Sequence, residues 1–349
     1  MRAPALSHFS RFLGALAAAI ALAAPAAHAA DPKLTVVLSS TSFAWLPLYV
    51  ADGAGYFRDE KIDVEISNVK DGSAVVAAIL SKNADIAGVG ANSVFAARRR
   101  DQPVKLIAPL NSQYTSVIFG RKEVFEKKGI TAQSSIEAKI EAIKGLKVGV
   151  ISFNGGQHMV MRFLMQRYAN ADIDKVSEVL PVGDAGATLA AMSRGLVDVT
   201  AFSPPVPQRA IAEGYAMVLL DPIRGDIPAT RGMVFTALAA TEETIARRRA
   251  ELGGFIRALD HANRLIVADT AKAGQAARKH MASMQADLYD AAMRALVPAT
   301  PKSPEVSIEG LRIYYELLRA GGEKYAQGDF DFEAAVANDL VREAVRGRN

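Results

Sequence analysis

Short apolar segments alternate with amphipathic ones along most of this chain, which is the pattern of strands alternating with helices. Residues 34–38 and 62–69 predict two strands, and residues 47–54 predict the helix between them. A second helix from 71 to 80 and a strand over 84–89 complete a β-α-β-α-β unit. Because these strands are mostly apolar, they favour a parallel sheet covered by helices on both faces.

The same unit occurs a second time. The segment LKVGVIS at 146–152 repeats the pattern of LTVVLSS at 34–40. Further on, Asp184, Ala190, Ala191 and Asp198 recur in the order and spacing of Asp71, Ala77, Ala78 and Asp85. The matching order of strand, turn, helix and aspartate predicts two similar lobes; generic α/β periodicity is the alternative.

Two strand-like segments, 113–120 and 232–238, are the predicted crossings between the lobes. They divide the chain into a first lobe over 30–115, a second lobe over 116–231, and a return to the first lobe over 232–349. Paired crossings of this kind act as a hinge between two rigid bodies. The tail after 241 is largely helical, and we assign it to the first lobe because the second crossing delivers the chain there.

The first thirty residues have the features of an export signal. Arg2 and Arg11 flank the start of an apolar run over 12–24, and Pro25 and the small-residue tract AHA at 27–29 follow. The run is shorter than the ~20 residues that span a bilayer, so a cleaved signal peptide over 1–29 is favoured over a permanent anchor. This predicts a periplasmic location.

Composition excludes several classes of protein. With 50% hydrophobic and 22% charged residues, the 349-residue chain is not disordered, and the absence of cysteine excludes disulfides, thiolate metal sites and thiol catalysis. Removing the predicted signal, with two arginines and no acidic residue, lowers the formal charge from +4 to +2, so no nucleic-acid partner is implied. His158, His261 and His280 lack metal-ligand spacing, and no phosphate-loop or catalytic motif occurs, so we expect no metal, cofactor or catalytic residue.

Three segments carry a resemblance to a known family: PLYVADGAGYF at 47–57, IDVE at 62–65 and ADIA at 84–87. They resemble the nitrate/sulfonate/taurine-type periplasmic substrate-binding proteins of ABC importers and the related binding proteins for thiamin-pyrimidine precursors. The resemblance implies the two-lobed type II periplasmic-binding-protein fold, with a mostly parallel sheet in each lobe and two crossover strands.

The same resemblance implies the function. We expect a monomeric receptor that captures a small polar or anionic organic solute, such as a sulfonate, taurine, nitrate or a pyrimidine-like compound. Its partner would be an inner-membrane ABC permease with its ATPase. An extracytoplasmic sensor module is the alternative. An enzyme related to the pyrimidine synthases is disfavoured, because their cysteine-rich motif cannot be matched here.

In open α/β sheets, ligands bind beyond the carboxyl ends of the strands, where helix N-termini present free N–H groups. The predicted ligand-binding residues of the first lobe are Ser40, Thr41, Ser42, Phe43, Trp45, Gly72, Ser73 and Asn92. Across the cleft they are Ser152, Asn154, Gly155, Gly156, His158, Asp184, Phe202, Ser203 and, at the return crossing, Arg231. Helix capping is the alternative for the hydroxyl and aspartate positions, and core packing is the alternative for Trp45.

Overall fold

The computed structural model describes residues 31–39, 41–69 and 72–346. The predicted signal peptide over 1–29 and the predicted ligand residue Ser40 lie outside the described residues, as do the side chains of Gly72 and Ser73. Both sheets of the fold belong to one compact unit, Lys33–Asn349.

The described strands form two five-stranded sheets. In chain order the strands are β1 (Lys33–Leu38), β2 (Asp63–Asn68), β3 (Ile86–Gly90), β4 (Val104–Pro109), β5 (Val117–Arg121), β6 (Lys147–Val150), β7 (Glu178–Pro181), β8 (Val199–Phe202), β9 (Ala216–Leu220) and β10 (Thr236–Thr241). The first sheet has the order β2-β1-β3-β10-β4, and the second has the order β7-β6-β8-β5-β9. The two orders are the same topology, so the structure confirms the predicted mixed α/β fold of two similar lobes.

Helices flank both sheets. In chain order they are α1 (Leu46–Ala54), α2 (Tyr56–Asp59), α3 (Gly72–Leu80), α4 (Ala91–Arg98), α5 (Lys122–Lys127), α6 (Ile136–Glu141), α7 (Gly156–Ala169), α8 (Ile173–Val176), α9 (Ala185–Ser193), α10 (Val206–Ala212), α11 (Glu242–Arg247), α12 (Arg249–Ala268), α13 (Thr270–Ala277), α14 (Ala286–Leu296), α15 (Ile308–Ala320) and α16 (Asn338–Arg346). In the interior strands β3 and β8 nearly every residue is buried, which explains their apolar runs.

The repeated aspartates play the same structural part in both sheets. Asp85 precedes β3 and accepts a hydrogen bond from the Thr35 backbone N–H of β1 at 2.9 Å. Asp198 precedes β8 and accepts one from the Lys147 backbone N–H of β6 at 3.1 Å. Each carboxylate therefore joins two neighbouring parallel strands at their amino ends, which accounts for the recurrence of this residue in the sequence.

The two crossings each place one antiparallel strand in a sheet. β10 lies antiparallel between β3 and β4, with Leu238 opposite Gly88, and β5 lies antiparallel between β8 and β9, with Ile118 opposite Ala201. The predicted crossing strands begin too early, because β5 starts at Val117 and β10 at Thr236. Before β5, Gln113 Nε2 donates to the Ile223 carbonyl at 3.1 Å and the Thr115 hydroxyl lies 2.9 Å from that of Ser203; before β10, the Val234 N–H donates to the Gly310 carbonyl at 3.2 Å.

The helical tail contacts more than the first lobe. α12 and α13 pack against α1, as the assignment to that lobe predicts. However, α15 lies against α4 and also against α7, and α14 contacts α10, so these two tail helices touch helices of the second sheet as well. The exact lobe boundaries stay a prediction.

Candidate functional site

The carboxyl ends of the strands in both sheets meet at the second crossing segment. On the first sheet, the Thr236 hydroxyl donates to the Ala44 carbonyl at 3.4 Å, and the Thr236 N–H donates to Asn111 Oδ1 at 3.0 Å. Ala44 belongs to the loop that follows β1, and Asn111 follows β4. The loop after β1 and the residue Asn111 after β4 are therefore both held against the second crossing.

The residue before Thr236 reaches the other sheet. The Phe235 carbonyl accepts a hydrogen bond from Ala91 N, at the start of α4, at 3.0 Å. Its ring lies against the first turn of α7, where a Cβ built on Gly156 would be 3.0 Å from Phe235 Cε2. Adjacent residues of one segment thus contact the loop after β1, the start of α4 and the first turn of α7, which belong to both sheets.

Three aromatic rings form the centre of this site. Tyr114 of the first crossing packs edge-on against Phe235 of the second, with ring centroids 4.6 Å apart, and Tyr314 of α15 lies 5.7 Å from Phe235. Both tyrosines are fully buried. We call Tyr114, Phe235 and Tyr314 the aromatic cluster. Because its members come from both crossings and the tail, it forms only in the folded chain.

The hydroxyls of the aromatic cluster are unusual. Among the described residues, the Tyr314 hydroxyl has no hydrogen-bond partner. The Tyr114 hydroxyl faces Ser116, whose hydrogen bond lowers the pKa of Tyr114 against the larger effect of burial. The Tyr314 oxygen points at the start of α7, lying 2.7 Å from a Cβ built on Gly156. A buried polar group without a partner costs about 1–3 kcal/mol, so the Tyr314 hydroxyl calls for an explanation.

Burial keeps the hydroxyls of the aromatic cluster protonated. Burial raises the pKa of Tyr314 well above its usual value, and Tyr325, Tyr114 and Glu323 raise it further. Burial likewise raises the pKa of Tyr114. Both phenols are therefore hydrogen-bond donors over the whole physiological pH range.

Near the α7 start, His158 organises the loop that follows β6. The ring is 2% exposed, its Nδ1 accepts the Asn154 N–H at 3.1 Å, and its Nε2 lies 2.8 Å from Asp174. Since Nδ1 is an acceptor, the ring proton resides on Nε2 and is donated to the carboxylate. Asn154 has a φ of 59°, so the hydrogen bond holds a left-handed residue in place.

Several predicted ligand residues serve as caps in this structure. Ser42 accepts from Ala44 N at 3.1 Å, and Asp184 accepts from Ala187 N at 2.9 Å at the start of α9. Thr41 is exposed and accepts from Asn68 Nδ2 at 3.1 Å. The structure therefore shows Ser42 and Asp184 as helix caps and Thr41 as a hydrogen-bond acceptor for Asn68. That these residues bind the solute stays a prediction.

The predicted aromatic walls lie in the core. Trp45 is 4% exposed, beside Gly88 of β3, and Phe43 packs on Tyr289 at 5.2 Å. Phe202 is 6% exposed in the core of the second sheet. Trp45 does not form an open wall in this conformation, because its ring is buried and packs beside Leu38 against Gly88 of β3.

The remaining predicted residues differ in position. Ser203 is buried, with its hydroxyl 2.9 Å from that of Thr115 in the first crossing, and Asn92 is buried at the start of α4. Ser152 is exposed in the loop before α7. Arg231 is exposed, and its guanidinium lies 3.6 Å from a Cβ built on Gly225, so it turns towards its own connection.

Sequence reasoning missed Tyr114, Phe235 and Tyr314. The first two lie within or beside the segments predicted as crossings, and an aromatic residue in each crossing was the available signal. Tyr314 lies in a helix of the tail, and no local pattern relates it to Tyr114.

No group of three or more histidine, aspartate or glutamate side chains among the described residues could hold a metal ion. None of the helices described is long and apolar enough to cross a membrane.

The model of one protein family matches residues 42–273 of the chain; the family is described as NMT1/THI5 like. The Bacillus subtilis (strain 168) protein YtlA is 30% identical over 114 residues, which cover 32% of this chain and 34% of YtlA. The chain therefore matches about a third of that relative's length.

Solved structures share the fold. The periplasmic aliphatic sulphonate binding protein SsuA from Escherichia coli has a TM-score of 0.66 at 14% identity, covering 89% of this chain and 99% of SsuA. The periplasmic nitrate-binding protein NrtA from Synechocystis PCC 6803 has a TM-score of 0.67 at 12% identity, covering 91% and 89%. The ligand binding component of an ABC-type import system from Staphylococcus aureus, solved with zinc bound, has a TM-score of 0.72 at 12% identity, covering 90% and 99%. At these identities the likeness shows the periplasmic-binding-protein fold and no more.

Proposed function

Because this chain belongs to the NMT1/THI5 like family and has the two-sheet fold of periplasmic binding proteins, we propose that it is the solute receptor of an ABC importer. One observation carries the proposal. The buried Tyr314 hydroxyl has no partner among the described residues and lies against the first turn of α7, beside Phe235 of the second crossing. A solute that reaches it when the lobes open would supply the missing hydrogen bond.

The fold suggests how binding is signalled. The two sheets are joined through the crossing segments, and α15 touches helices of both, so a solute at the aromatic cluster contacts both lobes at once. A ligand that binds the closed form better than the open form shifts the population towards it. Closure of the lobes is then what a permease recognises.

The finer parts of the proposal follow from the sequence. The segment over 1–29 is a signal peptide, the mature protein works as a monomer in the periplasm, and an inner-membrane permease with its ATPase receives the solute. The receptor has no catalytic step, and candidate solutes are sulfonates, taurine, nitrate and pyrimidine-like compounds.

A ligand screen tests this function. The purified mature protein is heated with sulfonates, carboxylates, nitrate and pyrimidines, and a bound solute raises the melting temperature by mass action. Small-angle scattering then compares the free and bound forms, and we expect a smaller radius of gyration on binding. A solute that binds without any change in scattering would contradict the closure mechanism.

A further inference from the structure

We propose that His158 and Asp174 position the loop before α7 and make solute capture depend on pH: the neutral imidazole holds the loop, and the doubly protonated ring releases it. Release of the loop is a property of the protein alone. Its effect on capture rests on the proposed function, because the loop connects β6 to α7 at the carboxyl end of that strand.

The loop lies where the topology of the second sheet favours ligand binding. From β6 the chain continues to β7 on one side of the sheet, and from β8 it continues to β9 on the other. The carboxyl ends of β6 and β8 are therefore a topological switch point, where ligands bind in open α/β sheets. Ser152, Phe153 and Asn154, in the loop after β6, are all exposed.

The hydrogen bond that holds this loop requires an unprotonated nitrogen. His158 Nδ1 accepts the Asn154 N–H at 3.1 Å, and the ring is buried away from water. Asn154 has a φ of 59°, in the left-handed region that few residues other than glycine adopt. A proton on Nδ1 would set one N–H against another, so the loop would have to leave this conformation to separate the two donors.

Asp174 gives the ring a second stable state. Its Oδ1 lies 2.8 Å from His158 Nε2, and its Oδ2 lies 2.8 Å from Arg162 Nε. The carboxylate accepts the Nε2 proton of the neutral ring and attracts the added charge when Nδ1 is also protonated, whereas Arg162 opposes that charge. The imidazole thus has a favourable partner in each state, the Asn154 N–H when neutral and Asp174 when charged.

Among the described residues, Asp174 is the only charged side chain that contacts the ring. The helices α6, α8 and α15 pack against α7. On α8, Lys175 pairs with Asp172 at 3.5 Å, and on α6, Glu137 is exposed. The other charged groups of α6, α7 and α15 are engaged away from the ring: Lys139 with the Ala132 carbonyl, Glu141 with Lys144, Arg167 with the Tyr168 ring, Arg312 with Glu309, and Arg319 with Glu316.

The direction of the pH effect follows from the number of bound protons. The held loop binds fewer protons than the released loop, because only the released loop admits a proton on Nδ1. The held form is therefore favoured as the pH rises through the titration of the ring. A solute that binds the held loop should bind more tightly at pH 7.5 than at pH 5.5, a range in which histidine changes its charge.

The first test uses the protein without solute. Nuclear magnetic resonance of the ¹⁵N-labelled protein follows the His158 ring nitrogens and the Asn154 amide from pH 8 to pH 5. We expect the ring to gain its second proton in this range, and the amide proton to lose its hydrogen-bonded chemical shift with the same midpoint. In His158→Asn, which retains an acceptor but does not titrate, the amide should stay bonded throughout. In Asp174→Asn, which removes the charge that attracts the second proton, the transition should move to lower pH.

His280→Asn is the matched control. His280 Nε2 also contacts a carboxylate, lying 2.6 Å from Asp52 Oδ2, but this pair joins α1 to the tail and does not touch the loop. Its replacement should leave the titration of the Asn154 amide unchanged. An Asn154 amide whose chemical shift does not follow the ring, or a His158 ring that stays neutral down to pH 5, would overturn release of the loop.

The second test measures capture. Calorimetry at pH 7.5 and pH 5.5 uses methanesulfonate, taurine, nitrate and uracil, none of which changes its charge between these values. For a solute that binds, we expect the dissociation constant of the unmodified protein to rise about three- to tenfold at pH 5.5, the range of one neutral hydrogen bond. That of His158→Asn should change by less than about twofold.

The two tests separate the two claims. Equal pH dependence of binding in the unmodified protein and in His158→Asn would overturn the effect on capture while leaving the receptor function intact. Failure of all four solutes, and of the wider solute screen, would remove the proposed function, and the solute-free spectra would still decide whether protonation of His158 releases the loop.

Discussion

The loop before α7 depends on one buried imidazole, and replacing it gives a quantitative prediction. In His158→Leu the Asn154 N–H loses its acceptor at 3.1 Å, and Asp174 loses a donor at 2.8 Å. His158→Asn is the matched variant, because an asparagine Oδ1 occupies nearly the position of Nδ1 and can still accept from Asn154. The two variants therefore separate the two hydrogen bonds.

The expected loss in the free energy of unfolding is the sum of what the two hydrogen bonds of His158 contribute. The Asn154 bond joins neutral groups and is worth about 1 kcal/mol. The bond to Asp174 involves a carboxylate that is 29% exposed and also pairs with Arg162, so we expect it to contribute about 1–2 kcal/mol. His158→Leu should thus lower the free energy of unfolding by about 2–3 kcal/mol, and His158→Asn by about 1–2 kcal/mol.

Urea unfolding followed by circular dichroism measures these changes, and hydrogen exchange reports on the Asn154 amide directly. We expect protection of that amide to fall in His158→Leu and to survive in His158→Asn. If both variants lose the same stability and protect the Asn154 amide equally, the His158 ring does not hold this loop through the Asn154 backbone N–H.

Three further predictions concern the first lobe. Asp52 is partly buried, which raises its pKa, but hydrogen bonds from His280 and Lys279 outweigh burial and hold that pKa below its usual value. The stabilisation is therefore complete above the pKa of an unfolded aspartate, about 4, and is lost as the pH falls through the pKa of the folded state. Asp52→Asn should lower the free energy of unfolding by about 1–2 kcal/mol at pH 7 and by much less at pH 3, as measured by urea unfolding. An equal cost at both pH values would contradict this. Gly53→Ala should lower the free energy of unfolding by at least about 3 kcal/mol, because its Cβ would lie 1.7 Å from the Ala276 carbonyl oxygen. The control is Gly186→Ala in α9, whose Cβ would meet only Asp184 Oδ1, at 3.3 Å. It should change the free energy of unfolding by less than about 1 kcal/mol in the same assay. Trp45, the only tryptophan, is 4% exposed, so iodide should quench its emission weakly until the protein unfolds; strong quenching of the native protein would show that the ring is at the surface.

The sequence was sufficient to predict the elements and the repeat, because both depend on local periodicity. Apolar runs predicted β1, β3 and β6 within one or two residues, and the recurrent Asp85 and Asp198 marked equivalent places in the two sheets. The antiparallel placement of both crossing strands follows from a chain that leaves one lobe and later returns to it.

The site was harder to predict, because it depends on which side of each element faces the other lobe. Trp45 lies at the start of α1, but its ring is buried against Gly88 of β3, a contact with a strand more than 40 residues further along the chain. His158 was recognised by its position near a helix start, yet its role as an acceptor requires Asp174 from another helix. Tyr114 and Tyr314 come together only through the packing of α15 across α7, which no local pattern encodes.

A crystal structure of the protein with a solute found in the screen shows directly whether the solute binds between the two sheets. We expect electron density for that solute in contact with the first turn of α7 and within hydrogen-bond distance of the Tyr314 hydroxyl. A solute bound on the outer face of a single lobe, with the Tyr314 hydroxyl still unpartnered, would contradict the proposed receptor site.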